Sequence, residues 1–212
     1  MLKTTARIFL VLLLIIAAMA AYYFGYPFSK AEHIAYYKSG NERIELERLN
    51  GYAAKARDFC KKKNYNTQTC FLIDMSLPSG KNRFFVYDLQ HDSILNAGLV
   101  AHGSCNYNFL REPKFSNTPG CGCTAEGKYK VGYKYKGRFG NAFKLYGLDS
   151  SNSNAFKRNI VLHSYSMVPE KETWPMPICN SLGCAMVSNK YLTILEKQVD
   201  KSKKPIFLWI FE

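Results

Sequence analysis

A β-branched run ending in histidine, Ile160-Val161-Leu162-His163-Ser164, is followed by a loop of small residues that carries a cysteine, Ser181-Leu182-Gly183-Cys184. A thiol attacks as thiolate, and an imidazole at a neighbouring strand end can take its proton, so His163 and Cys184 form a candidate acyl-transfer pair. Gly183 lets the backbone approach a substrate carbonyl, and the amides of Gly183 and Cys184 are candidate donors to the oxyanion of a tetrahedral intermediate. His102, in Ala101-His102-Gly103-Ser104, is the competing base, although a strand-end histidine before glycine is more often a hydrogen-bonded structural residue. Zinc is the other use for such side chains. Cys121-Gly122-Cys123 with a distant His163 lacks the two-pair spacing of structural zinc centres, so no metal and no cofactor are expected. Asp74 and Glu126 have no matched carboxyl partner and are read as structural.

The elements that must hold these groups are mainly strands. Phe71 to Met75, Arg83 to Tyr87 and Ile94 to Ala101 are short and apolar or alternating, and turn material such as Pro78-Ser79-Gly80 and His91-Asp92-Ser93 separates them. Between Lys128 and Phe139 basic residues take one parity and Tyr129, Val131, Tyr133, Tyr135 and Phe139 the other, with Gly132 and Gly137 marking a bulge or hairpin. The basic face reads either as a cationic lip for an anionic polymer or as the solvent face of an edge strand. Ile160 to His163 and Ile206 to Phe211 complete the strands. Two helices flank them: one over 41–62, with Ser39 and Glu42 as a capping box and Leu46, Leu49, Ala53, Ala56 and Cys60 on one face, and a short one capped by Ser188. Val168 to Asn180, with three prolines, is a long irregular connection of the kind that flanks substrates.

Residues Ile8 to Phe28 carry no charge and follow Lys3 and Arg7, the layout of an export signal or an uncleaved anchor that would leave the chain on the inner membrane. The expected organisation is 1–28 as signal or anchor, 29–40 as linker and 41–212 as one globular domain, which the 47% hydrophobic content is ample to fill. The formal charge is +13, and +11 without Lys3 and Arg7, so an exported domain meets anionic lipid or carboxylate-rich wall polymer rather than nucleic acid. Seven cysteines in an exported chain imply disulfides with one sulfur left over. Cys184 is the expected free thiol, with Cys60 joined to Cys70 and with Cys121 and Cys123 taken separately by Cys105 and Cys179; a Cys179–Cys184 bridge is the competing arrangement and would disable the nucleophile.

A histidine at the end of an apolar strand, then Ser-x-Gly-Cys, resembles the signature of the murein L,D-transpeptidase (YkuD-like) catalytic domain family. Phe71-Leu72-Ile73-Asp74-Met75-Ser76, Val100-Ala101-His102-Gly103, Phe115-Ser116-Asn117-Thr118-Pro119-Gly120 and Arg158-Asn159-Ile160 extend the resemblance, which runs from about Asn41 to the end. Two features depart from it. Leu182 stands where the common motif has histidine and Met186 where it has Arg or Asn, and Cys121-Gly122-Cys123 replaces a Ser-rich loop. The resemblance implies a mainly β fold with few helices: a β-sandwich of mixed sheets preceded by an N-terminal helix. It also implies peptidoglycan stem peptides as substrate, Cys184 as nucleophile, His163 as base oriented through a backbone carbonyl for which Ser164 is the adjacent candidate, and Ser181, Arg158, Asn117 and Gly120 as substrate contacts. The product is a 3-3 cross-link when an amine accepts the acyl group, or a trimmed stem when water does. A disulfide-stapled wall-binding module without catalysis is the alternative of another class.

Overall fold

The computed structural model describes residues 13–15 and 45–212. Apart from 13–15, the expected signal or anchor lies outside the described residues, as do the linker 29–40 and the first turn of the expected helix. Among the described residues no helix is long and apolar enough to cross a membrane. The chain divides into two units, Met1–Arg48 and Leu49–Glu212, and the second holds the entire sheet.

Helix α1 is described over 45–63 and ends where Asn64 takes a left-handed conformation, φ 60°, a position at which asparagine is tolerated. Tyr65 N–H then bonds back to Cys60 O at 3.0 Å. Leu49, Ala53, Ala56 and Cys60 form the buried face, as their spacing requires, and Leu46 is exposed. That face packs on Cys70, Leu72, Tyr87, Phe207 and Phe211.

Nine strands follow: β1 (Thr69–Asp74), β2 (Phe84–Asp88), β3 (Ser93–Gly98), β4 (Val100–Ala101), β5 (Gly127–Gly137), β6 (Gly140–Gly147), β7 (Val161–Ser164), β8 (Ala185–Val187) and β9 (Phe207–Phe211). They pair in the order β3-β2-β1-β9-β5-β6-β7-β8-β4. β1 with β9 and β7 with β8 are parallel, and the other pairs are antiparallel, so the fold is mainly β and the sheet mixed. β3 and β4 sit at opposite edges although Leu99 alone separates them in the chain, so the sheet must fold back on itself into two layers. The space between is filled from both arms: Phe71, Ile73, Phe84 and Val86 meet Phe143, Leu145, Leu162, Ala185 and Val187 in one apolar cluster. Helix α2 (Asn189–Lys201) adds Tyr191, Leu192 and Leu195, and its N-cap Ser188 accepts from Tyr191 N–H as the sequence anticipates.

One expected strand is two. The run from Ile94 to Ala101 breaks at Leu99, where the chain changes partners, from Phe84 on β2 opposite Gly98 to Val187 on β8 opposite Val100. Gly98 passes directly under the Tyr191 ring, where a Cβ would lie 2.6 Å from ring carbons. Tyr191 is fixed there by donating to Phe84 O at 2.7 Å. Gly132 does mark a shift of register, between Val131 and Lys134, and Gly137 closes the β5–β6 hairpin.

Two glycine substitutions test this packing by urea unfolding. Gly51→Ala, at an exposed helix position with open space around it, is expected to raise stability by about 0.5–1 kcal/mol. Gly98→Ala, driven into the Tyr191 ring, is expected to cost about 1–3 kcal/mol.

Candidate active site

β7 lies between β6 and β8, and strand alternation sorts its side chains. Leu162 turns inward with Phe143, Leu145, Ala185 and Val187, so Val161 and His163 turn outward. The parallel register pairs Leu162 with Ala185 and His163 with Met186. Cys184, one residue before Ala185, therefore falls on the outward face across from Val161 and diagonal to His163, an offset of about 7–8 Å that side chains can span. On β6, Lys144 pairs with Val161 and Ala142 with His163. Lys144, Val161 and Cys184 thus share one cross-strand row, and Ala142, His163 and Met186 the next.

His163 is 8% exposed, and its Nδ1–H donates to the main-chain oxygen of Ser164 at 2.9 Å. That bond assigns the acceptor lone pair to Nε2. Phe139, carried over by the β5–β6 hairpin, stacks on the ring at 5.5 Å. Burial pushes the imidazole below its ordinary value and the Ser164 carbonyl opposes the shift, so the ring is neutral at pH 7. The Cys184 thiol is pushed up by burial, against the pull of the Val161 amide, Lys144 and Arg158. Its S–H is directed at Asn159 O, 3.8 Å away, and no hydrogen bond joins it to His163 among the described residues.

The turn before Cys184 is built on Ser181. Ser181 Oγ donates to Cys184 O at 2.8 Å and accepts Gly183 N–H at 3.1 Å. Ser181 is buried with its hydroxyl committed to the turn, and the Gly183 amide donates to that hydroxyl; of the two amides expected to face an oxyanion, Cys184 N–H is the one not given to Ser181. Gly183 is required for another reason: its φ is +105°, and a Cβ would lie 2.6 Å from Cys123 O.

Cys123 belongs to a strap laid against that turn. A disulfide ties it to Cys105, while Arg158 donates through Nη1 to Ser116 O at 2.7 Å and through Nη2 to Cys123 O and Cys121 Sγ. The Arg158 guanidinium, expected at the substrate, is thus engaged with the strap through both Nη atoms. Asn117 is likewise committed: Nδ2 donates to Ser150 O and Ser153 Oγ, and Oδ1 accepts from Asn154 N–H. Gly120 is an exposed loop residue whose carbonyl accepts from Asn106. Of the expected bridges, Cys60–Cys70, Cys121–Cys179 and Cys179–Cys184 are not formed, and all five of these cysteines are thiols. Cys60 and Cys70 are buried in the apolar cluster beneath α1, where desolvation raises Cys60 to about 12 and Cys70 well above its ordinary value.

The rival histidine is fully engaged. His102 is 1% exposed, Nδ1 accepts from Arg83 Nη2 at 2.9 Å, and Nε2–H donates to Leu110 O at 3.0 Å. Burial and the Arg83 charge lower it to about 4. Arg83, itself buried, also donates to Val100 O and Leu77 O, so this is an internal brace between β2 and β4. The basic face of β5 is mostly paired: Lys128 meets Asp149 at 3.3 Å, Lys134 meets Asp200 at 2.8 Å, and Lys130 lies over the Tyr146 ring. The sequence reading missed Lys144, Asn159 and Phe139 as neighbours of the reactive pair. The available signal is a lysine between Phe143 and Leu145 in a strand buried on both faces, a placement that cationic residues rarely take without a specific partner.

Residues 41–209 match the L,D-transpeptidase catalytic domain, and the chain belongs to that family. A comparison with curated protein sequences finds no match. Among solved structures it is similar to an L,D-transpeptidase from Mycobacterium smegmatis at 12% identity and TM-score 0.39, over 68% of this chain and 59% of that one. It is similar to the helical cell shape determining protein Pgp2 from Campylobacter jejuni (K307A mutant) at 16% identity and TM-score 0.42, over 68% and 47%. The Ldtfm-avibactam carbamoyl enzyme gives 11% identity and TM-score 0.42, over 68% and 49%. The chain spans about half the length of these proteins.

The His102 brace carries a pH signature. Because its folded value lies below the unfolded 6.5, the unfolded chain takes up a proton first; stability is whole above pH 6.5 and falls as pH drops toward about 4, by up to about 3 kcal/mol. Urea midpoints measured from pH 7.5 to 4 should show this loss, and His102→Gln should flatten it.

Proposed function

We propose that this protein is an exported cysteine acyltransferase acting on peptidoglycan stem peptides, an L,D-transpeptidase that forms 3-3 cross-links through a Cys184 thioester. The observation that carries the reading is the bond from His163 Nδ1–H to Ser164 O, which turns a basic Nε2 to the same sheet face and the adjacent strand row as Cys184. Membership of the L,D-transpeptidase family supports the substrate class.

The reaction starts from a neutral pair. Cys184 Sγ leaves Asn159 O for His163 Nε2, gives up its proton there, and attacks the carbonyl carbon that joins the L-centre of the third stem residue to the D-residue after it. Charge collects on the carbonyl oxygen, to which Cys184 N–H donates. When the C–N bond breaks, the imidazolium returns its proton to the departing amine and a thioester remains. The amine of a second stem then loses a proton to His163 and displaces the sulfur, which recovers the thiol. Water in the amine's place yields a shortened stem and the carboxypeptidase outcome. The apolar run at Ile8–Phe28, the net charge of +13 and the Cys105–Cys123 disulfide support action outside the cytoplasm, with the N-terminal segment as signal or inner-membrane anchor.

Incubation with defined tetrapeptide stems, followed by mass spectrometry, should yield cross-linked dimer, trimmed tripeptide or both, and Cys184→Ala should yield neither. His163→Asn should reduce turnover by about 10²–10⁴-fold, the span of a general base. With His163 lowered from 6.5, kcat/KM should rise with pH through an inflection below 6.5. Equal product from wild type and Cys184→Ala would refute the reading.

A further inference from the structure

Lys144 has no place in the reaction described so far, yet it is 6% exposed in the cross-strand row that ends at Cys184. Its Nζ donates to Asn159 Oδ1 at 2.9 Å and lies 4.8 Å from the centre of the Phe156 ring. Among the described residues no carboxylate pairs with it. A buried ammonium without a counter-ion is costly, and of its three N–H donors only one goes to Asn159. Asn159 also supplies, from its main chain, the oxygen toward which the Cys184 thiol is directed. One residue in a left-handed conformation, φ 57°, therefore holds the ammonium by its side chain and the sulfur by its backbone.

We propose that Lys144 is a positioning residue for the nucleophile: anchored by Asn159, its ammonium supplies the positive charge that the Cys184 sulfur faces when it becomes a thiolate. The proposal rests on Cys184 being the reacting sulfur, and it gives the buried charge a counter-ion at the moment the thiol ionises. The groups around the sulfur leave few rivals. Arg158, from the segment before β7, has both Nη atoms bonded to the strap through Ser116 O, Cys123 O and Cys121 Sγ. His163 on β7 is held neutral by burial, and Tyr129 and Tyr135 on β5 have raised values to which the Cys184 charge contributes, so they stay neutral and supply no charge to the sulfur. Lys144 and Arg158 are the cations among them that favour the thiolate.

The test reads the sulfur and not peptide turnover, so a protein that processed no stem peptide would overturn the function proposed above and leave this measurement intact. The full-length chain is alkylated with iodoacetamide from pH 6 to 10, and modification of the Cys184 peptide is quantified by mass spectrometry, which separates it from the other thiols. In Lys144→Met, which keeps the apolar stem against Phe156, the midpoint for Cys184 should rise by about one pH unit, a tenfold loss of thiolate at neutral pH. Lys144→Arg should restore most of it. Asn159→Gly keeps the left-handed backbone and the carbonyl while deleting the anchor, and should shift the midpoint the same way by less, a check that does not depend on Lys144→Met folding. Unfolding midpoints should stay within the range in which all variants are folded at the alkylation pH. A midpoint unmoved in folded Lys144→Met, or unmoved in Asn159→Gly where Lys144→Met does not fold, overturns the proposal.

Discussion

Parallel pairing of β7 with β8 decides which side of the sheet carries reactive groups. Side chains alternate with a period of two, so a slip of one residue by β8 would send Ala185 and Val187 to the outside and draw Cys184 into the core, and a slip by β7 would exchange Leu162 and His163 in the same way. Burying a leucine or valine side chain is worth about 1.5–3 kcal/mol, whereas a single net hydrogen bond is worth about 0.5–1.5. Core packing, and not attraction between the histidine and the cysteine, therefore holds the register. The structure agrees with this ranking: the site face is set although no hydrogen bond connects the two side chains among the described residues.

The turn that presents Cys184 is fixed by contacts that exclude side chains as well as by the Ser181 hydrogen bonds. Gly183 lies against Cys123 O, and Gly103 against Gly122 O, at separations where any Cβ would collide. Both contacts involve the strap that the Cys105–Cys123 disulfide and Arg158 hold down. Leu182, the residue that replaces the family's usual histidine, is pushed out to 76% exposure because Ser181 and Gly183 on either side of it are turned inward. A cross-linked loop, two glycines and one buried hydroxyl thus place the sulfur, with no packing role for the exposed Leu182 side chain.

Much of the site was legible from residue types. The strands β1, β2, β5, β7 and β9, the α2 cap at Ser188, the histidine at a strand end and the glycine before the cysteine follow from period, capping and turn chemistry, which are local, whereas β6 and the three-residue β8 were not read from the sequence. The split at Leu99 was not legible, because it is a change of pairing partner, from β2 to β8, and β8 lies more than eighty residues away in the chain. The same limit applies to Arg158, Asn117 and Ser181. Their residue types suit substrate contact, but partners from distant segments consume their donors and acceptors, and only folded coordinates reveal how a polar side chain is occupied. Disulfide choice succeeded only in part: Cys105 and Cys123, one of the pairings the sequence allowed, are joined where two loops approach closely, while Cys60 and Cys70 sit in one apolar cluster as thiols and Cys179 is unbridged.

The two buried histidines differ in a way that separates the His102 brace from the base proposed at His163. Both end short strands, both are desolvated, and both have lowered values, so neither burial nor the direction of the shift distinguishes them. The count of engaged nitrogens does. His102 accepts a charged donor at Nδ1 and spends Nε2–H on a carbonyl; a proton arriving there would have to displace a guanidinium and sit beside its charge. His163 spends only Nδ1, and on a neutral carbonyl one residue along its own strand, so a proton at Nε2 adds a cation whose first neighbour is the Ser164 carbonyl dipole. A backbone carbonyl partly compensates in each case, but the first environment opposes protonation twice, through burial and through Arg83, and the second only once, through burial. A group that must take and return a proton within a catalytic cycle needs the second kind of surroundings, because its two protonation states have to lie close in free energy.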